Sequence, residues 1–300
     1  MSNQESRSGA MAPARPVKLA RRSPMLWRKG ADAARTMDVL GFAIANVELD
    51  RAAADLAMAG QQKRACRVVF VNAHVMDCAW ADPAYRQTVA SAEVRYADGS
   101  GMAIAARLAG DALADNVNGT DMLPLLAAEA VRNGVSIFLL GGAPGAAAGS
   151  AASITAQGYP HAIAGTHHGY FEAGSADETR VIERINASGA AILLVGMGVP
   201  LQDSWIERNA HRLDVPVQVG VGGLFDFFSG KVSRAPEILR TLGLEWTWRL
   251  ALEPGRMWRR YIIGNATFLA RAALWALKAR IHRGRAATAR GAPGLRAQAP

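Results

Sequence analysis

Four short stretches of this chain are apolar at almost every position: "CRVVFVN" (66–72), "VSIFLLGG" (135–142), "AAILLVGMG" (190–198) and "VPVQVGVGG" (215–223). Runs of this length, rich in Val, Ile and Leu and closed by glycine or a polar residue, predict strands buried on both faces. Between them, apolar positions recur at helical spacing over 120–133, 144–157, 176–187 and 200–211. Ser175, with Glu178 three residues on, predicts a capping box at the start of one of these helices. Strands alternating with helices predict an α/β, Rossmann-like fold: a largely parallel sheet with helices on both faces. Ligands of such sheets bind beyond the carboxyl ends of the strands, where this chain places its glycines.

The grammar changes at both ends. Residues 1–36 are rich in Arg, Ser, Ala and Pro without periodicity, which predicts a flexible basic arm before an α/β core over 37–230. Beyond Gly230 the pattern becomes amphipathic and helical, interrupted at Pro236, Pro254 and Gly264–Asn265. This predicts an appendage of two or three helices over 231–282, then a flexible basic tail over 283–300. The net charge of +9 sits in these ends: residues 1–30 carry +6 and 231–300 carry +11, so the middle carries −8. An acidic body with basic ends argues against a nucleic-acid binder, and no nucleic-acid partner is expected. Trp246, Trp248, Trp258 and Trp275 lie among the C-terminal arginines. That mixture suits an anionic membrane surface or a phosphate-bearing ligand. No uncharged apolar run reaches the roughly 18–20 residues of a spanning helix, and the N-terminus lacks an apolar signal core. The expected location is therefore cytoplasmic. Cys66 and Cys78 read as small core residues rather than a disulfide or a ligand pair.

Candidate chemistry gathers after the strands. "LLGGAPGAAAG" (139–149) sets Gly141 and Gly142 at a strand-to-helix turn, where a backbone can approach a phosphate. A tight turn without a ligand explains it equally. The spacing is not G-x-G-x-x-G, which weighs against a nicotinamide-dependent oxidoreductase. Asp98 in "YADGSGMAIAARLAG" is either a cap for the next helix or a general base for a sugar hydroxyl. Asn118, Thr120 and Asp121 in "VNGTDM" pose the same choice between capping and a ligand. Gln202 falls in the first turn of a helix and faces the ligand edge. Asp226, between Leu224, Phe225, Phe227 and Phe228, needs a partner if buried, either a ligand hydroxyl or a backbone amide. In "GTHHGYFE" (165–172) a metal site is rejected, because no spacing of the His and Cys residues supplies a ligand set and no Asp-x-Asp exists. His167 and His168, adjacent in extended chain, are expected to point apart. Gly169, with Tyr170 or Phe171, is expected to form the lip of a pocket.

Taken in order, "ADGSGMAIAARL", "NVNGTDM", "IFLLGGAPG", "GTHHGYF", "ILLVGMGVPLQDSWI", "GVGGLFDFFSGKVSRAP" and "LGLEWTWRLALEPGRMWRRY" resemble the WecG/TagA/CpsF glycosyltransferases, over roughly residues 38–270. The resemblance implies a Rossmann-like UDP-sugar-binding core with a helical, membrane-associating appendage. It implies an inverting, metal-independent transfer that uses no cofactor. A hexose or N-acetylhexosamine-type sugar passes from a UDP donor to a polyprenyl-diphosphate-linked acceptor, at the inner face of the plasma membrane, during cell-surface polysaccharide or exopolysaccharide synthesis. By the same resemblance Asp98 is the base, Gln202 and Asp226 line the pocket, and Tyr170 neighbours the uracil. Arg249, Arg256 and Arg259 close over the diphosphate, where fixed cations meet the charge on leaving UDP. One motif departs from the family pattern of Thr-x-Asn followed by Glu. Here "FVNAH" keeps Asn72 but has Phe70 for the threonine and His74 for the glutamate. The motif is similar to that of exopolysaccharide-assembly members, so N-acetylmannosamine, its uronate and glucose all stay open as donors. The resemblance also allows a homo-oligomer. A non-catalytic nucleotide-binding scaffold remains the alternative.

Overall fold

The computed structural model of the chain describes residues 35–290, without the side chains of Arg256 and of residues 282–290. It opens on an antiparallel hairpin, β1 (Arg35–Val39) and β2 (Phe42–Asn46). There follow α1 (Leu49–Gln61), β3 (Cys66–Val71), α2 (Ala73–Ala81), α3 (Pro83–Ser91), β4 (Val94–Ala97), α4 (Ser100–Leu108) and α5 (Gly119–Arg132). Next come β5 (Ile137–Gly141), α6 (Ala146–Ala156), β6 (Ile163–His167), α7 (Ala176–Ala187), β7 (Ile192–Gly196), α8 (Leu201–Asn209) and β8 (Val217–Gly220). The C-terminal part adds α9 (Leu224–Phe228), α10 (Glu237–Thr241), α11 (Glu245–Leu252), α12 (Pro254–Trp258), a π-helical turn (Arg259–Gly264) and α13 (Asn265–Arg290).

The six strands β3–β8 form one parallel sheet in the order β4-β3-β8-β7-β5-β6. Their side chains alternate between two cores, as the two-residue period of a strand requires. Cys66, Val68 and Phe70 of β3, Ile137 and Leu139 of β5, and Ile192 and Leu194 of β7 pack on the α1/α5/α6/α9 face. Val69 and Val71 face α2 and α4 on the other side, and there Phe138, Leu140, Leu193 and Val195 pack under α7 and α8. Burial on both faces is what made these strands continuous apolar runs. Both cysteines are free thiols, and burial pushes the Cys66 thiol up to about 12, so it behaves as a hydrophobe.

Two buried carboxylates fix the helices that carry the site. Ser175 Oγ caps α7 by accepting the Glu178 N–H, as expected, but Glu178 reaches one residue further back, to Gly174 N–H, at 2.7 Å. Its other oxygen accepts Trp205 Nε1–H at 2.7 Å and Asn209 Nδ2–H at 3.2 Å, which ties α7 to α8. Burial alone would raise the Glu178 carboxyl, and these donors bring it below its ordinary value.

Asp203 of α8 is 3% exposed and accepts a 2.6 Å hydrogen bond from the Tyr85 hydroxyl of α3. Burial pushes its carboxyl up to about 6, against the pull of that bond. The folded pKa thus exceeds the unfolded one, so the native state holds an extra proton between its ordinary value near 4 and about 6. Stability falls as pH rises through that window. D203N keeps an acceptor for Tyr85 and is expected to remove the slope. Relative to wild type, it gains on the order of 2–3 kcal/mol between pH 4 and pH 7. Urea melts of both proteins at the two pH values measure this. Identical pH dependence would exclude Asp203 as the source.

The C-terminal helices break where proline and glycine predicted, at Pro236, Pro254 and Gly264–Asn265, and α13 runs on to Arg290, past the point where the tail was expected to begin. Residues 1–34 of the expected arm and 291–300 of the expected tail lie outside the described residues.

Candidate active site

The chemistry sits at the carboxyl edge of the sheet. Strand β3 runs into Asn72 and β4 into Asp98, on neighbouring strands paired at Val71 and Ala97. Asn72 Oδ1 caps α2 by accepting Val75 N–H at 3.0 Å, and its Nδ2 donates to Asp98 Oδ2 at 3.0 Å. Helix α4 begins from Gly99, at φ +88°, with no side-chain cap. Asp98 is therefore not a capping residue, and its carboxylate is held sideways by Asn72. Burial raises the Asp98 carboxyl; Asn72 and the Arg260 guanidinium lower it, while Glu245 and Asp121 add to the rise. Residues of α5, α11 and the π turn thus meet around one carboxyl group.

The arginines divide differently from the expectation. Arg259 is exposed and lies over the ring of its neighbour Trp258, 5.3 Å from the centroid. The next residue, Arg260, turns inward: its charge reaches Asp98, His74 and Cys78. The Arg256 side chain lies outside the described residues. Arg249 is 13% exposed, 4.9 Å over the Phe227 ring, with a buried Nε–H that has no hydrogen-bond partner. Its Nη2 lies 3.5 Å from where a Cβ on Gly223 would be, and Asp226 Oδ2 lies 3.8 Å from the same point. Arg249 and Asp226 therefore converge on the glycine turn after β8. Asp226 is half-buried rather than sealed among its aromatic neighbours.

At the start of α5, Asn118 is the cap, accepting Asp121 N–H at 2.9 Å, and its Nδ2 donates to Asp121 Oδ2 at 2.7 Å. Asp121 Oδ1 also takes Arg234 Nη2 at 2.5 Å, and Arg234 lies 3.8 Å from Glu245. Thr120, half-buried, stands beside this network. Gln202, in the first turn of α8 as expected, is 3% exposed, and its Oε1 accepts Gly222 N–H at 2.8 Å. It shapes the glycine turn from behind.

Gly141, Gly142 and Gly169 are explained first by one another. A Cβ on Gly141 would lie 2.4 Å from Gly196 O, and one on Gly169 3.0 Å from Gly141 Cα. Gly142 N–H bonds Gly196 O at 2.9 Å, and Gly169 N–H bonds Gly142 O at 3.2 Å. These glycines let β5, β6 and β7 close up at the floor of the site. The expectation that His167 and His168 point apart is overturned: their ring centroids are 4.3 Å apart. Strand β6 ends at His167, so the chain has already turned, and His167 Nδ1 sits 2.6 Å from His168 O. Tyr170 projects beyond them, 69% exposed, where a lip was expected.

Among the described residues no three of His, Cys, Asp and Glu are placed to hold a metal ion. A broad groove of about 970 Å³ opens at the opposite edge, around Cys66, Ala191 and Pro216. It shares no residue with the carboxyl-edge cluster.

Residues 37–282 match the Glycosyl transferase WecG/TagA/CpsF family. The chain belongs to that family. Its members are glycosyltransferases of cell-surface polysaccharide synthesis, acting between a sugar donor and a lipid-linked acceptor. The matched span contains the whole parallel sheet and every residue of the cluster described above. In this glycosyltransferase Phe70 is 7% exposed and reaches up beneath the first turn of α5, 3.6 Å from the Cβ position of Gly119. His74 is half-buried, and burial with the Arg260 charge lowers it to about 4, so it is neutral at pH 7. Sequence reasoning passed over Arg234, Glu245 and Arg260. The doubled arginine of "WRRY" was the signal for the last, and helical phase alone could not say which of the two turns in.

Proposed function

We propose that the protein is an inverting, metal-independent glycosyltransferase that moves a hexose or N-acetylhexosamine-type sugar from a UDP donor to a polyprenyl-diphosphate-linked acceptor. The observation that carries this reading is the Asp98 carboxylate, fixed by Asn72 at the carboxyl edge of the sheet beneath helices that bring in Arg249 and Arg260. Asp98 takes the proton of the acceptor hydroxyl, and that oxygen attacks the anomeric carbon. The bond from this carbon to UDP breaks on the opposite face, so the configuration inverts. Arg249, with its unpartnered Nε–H beside the glycine turn after β8, is placed to meet the diphosphate. Tyr170 offers an exposed ring to the base. The test is UDP release from a panel of UDP-sugars, with a short-chain polyprenyl-diphosphate-sugar acceptor and no added metal. Acceptor-dependent release with one donor supports the reading. UDP binding without release from any donor and acceptor pair favours the scaffold reading.

We propose further that the C-terminal helices lie on the inner face of the plasma membrane. Among the described residues no helix is long and apolar enough to cross a membrane. Yet Ile238, Leu242, Trp258, Ile262, Leu274 and Leu277 are each more than 40% exposed, near Arg259, Lys278 and Arg280. Apolar side chains flanked by cations fit an anionic lipid interface. Replacing Leu274, Leu277 and Ile281 together by Ser is expected to weaken binding to anionic vesicles on the order of 100-fold. The melting temperature should hardly change, because all three are about half exposed already. Unchanged vesicle co-sedimentation would refute the lipid surface.

A further inference from the structure

The π turn is anchored at a place where anchoring has a chemical consequence. Its last residue, Gly264, rests directly on α2, since a Cβ there would lie 2.8 Å from Asp77 Oδ2. Four residues on, Phe268 is fully buried, its ring 3.2 Å from the Cβ position of Gly101. Ala73 closes the same crevice, 3.8 Å from that position. Phe268 thus plugs the gap between the first turns of α2 and α4, the two helices launched by Asn72 and by the Asp98–Gly99 turn. From the other side Gly243, the joint between α10 and α11, approaches Ser100 so closely that a Cβ would be 3.3 Å from Ser100 Cβ. The C-terminal helices therefore grip the Asp98–Gly101 turn from two sides and hold the π turn at a fixed offset from it.

The charges around Asp98 show what this geometry delivers. Asp98 is faced by Asn72 from β3, Asp121 from α5, Glu245 from α11 and Arg260 from the π turn. Arg234 is paired to both Asp121 and Glu245, which offsets their repulsion. Arg260 remains as the cation that acts on Asp98 itself. A carboxyl group in such surroundings tends to stay protonated, and a protonated carboxyl cannot accept a proton. An arginine stays charged at any working pH. We infer that Arg260 is a positioning residue, anchored by Gly264 and Phe268, whose guanidinium keeps Asp98 ionised so that it can take the acceptor proton. The inference rests on the reading of Asp98 as the base.

Two readouts in the full-length protein separate the inference from that reading. The first is the titration of the aspartate carboxyl carbons and histidine imidazoles by NMR, with D98N and H74Q giving the assignments. Removing a cation raises the pKa of every group it faced, so Asp98 and His74 both move upward in R260Q and return toward wild type in R260K. His161, which lines the groove at the far edge of the sheet, stays in place. The second readout is the pH profile of kcat/KM. Its acid limb moves to higher pH in R260Q, with activity recovered on the alkaline side and donor KM nearly unchanged. Unmoved titrations in R260Q, with R260K folded and equally unmoved, would overturn the inference. A large rise in donor KM without any titration shift would make Arg260 a diphosphate ligand instead. If both titrations shift while the pH profile stays as in wild type, the electrostatic contact stands but Asp98 is not the base, and the positioning role falls with it.

Discussion

Replacing Asp98 by Asn is expected to lower turnover by on the order of 10³-fold while leaving fold and donor affinity close to wild type. The substitution is nearly isosteric, and the Asn oxygen can still accept the 3.0 Å hydrogen bond from Asn72 Nδ2. It also removes a charge that burial disfavours, so the variant should melt at or above the wild-type temperature. What it cannot do is accept a proton from an attacking hydroxyl. The measurement is acceptor-dependent UDP release at saturating donor, with UDP binding as the control. Retained turnover would move the base elsewhere, and Asp226, the other half-exposed carboxylate beside Arg249, would be the first to examine. Asn72→Ala tests the same unit from behind. It removes both the α2 cap and the Asp98 donor, so it should cost about 1 kcal/mol of stability as well as activity. In the D98N background the activity part of that cost should vanish.

How much of this was legible beforehand follows from where each residue sits. The four strands that could be read, β3, β5, β7 and β8, are the inner ones, buried on both faces and so apolar at almost every position. The two left unmarked, β4 and β6, are the sheet edges. In β6, "IAGTH", the middle position is glycine because the Phe138 ring occupies the space: a Cβ on Gly165 would meet it at 2.6 Å. A neighbour's side chain thus erased the strand signal. The hairpin β1–β2 is short and polar on its outer face, and no local pattern announces it. Capping was legible where one residue caps the helix that begins beside it, as at Asn118 and Ser175. It misled at Asp98, because the partner that claims the carboxylate, Asn72, is 26 residues away on another strand. The arginines were legible as a group, from composition and from resemblance. Which of them turns inward was not, since a π turn shifts the helical phase and nothing in "RRYIIG" declares one.

The same glycines that suggested a phosphate cradle lead to the largest stability effect expected in the molecule. Gly141 has φ +137°, and a Cβ on it would lie 2.4 Å from Gly196 O, 2.5 Å from Gly196 C and 2.7 Å from Gly196 N. All three atoms belong to the backbone of the adjacent strand, which cannot swing aside as a side chain would. Gly141→Ala must push β5 away from β7 at the point where Gly142 N–H bonds Gly196 O. A loss of about 4 kcal/mol or more is expected, enough to prevent accumulation of a marginal fold. Gly145, four residues on and at φ +88°, has nothing within 4 Å of its Cβ position. Gly145→Ala should cost only the left-handed backbone penalty, about 1–2 kcal/mol. Denaturant midpoints of the two variants separate the explanations of this turn. A steep loss at 141 beside a mild one at 145 assigns Gly141 to strand packing. It leaves Gly145, at the N-terminus of α6, as the glycine whose substitution can report on a ligand. If Gly145→Ala then folds but binds UDP more weakly, the open backbone at that helix end is part of the donor site. If both variants were equally mild, the close approach of β5 and β7 would not be what requires glycine at 141.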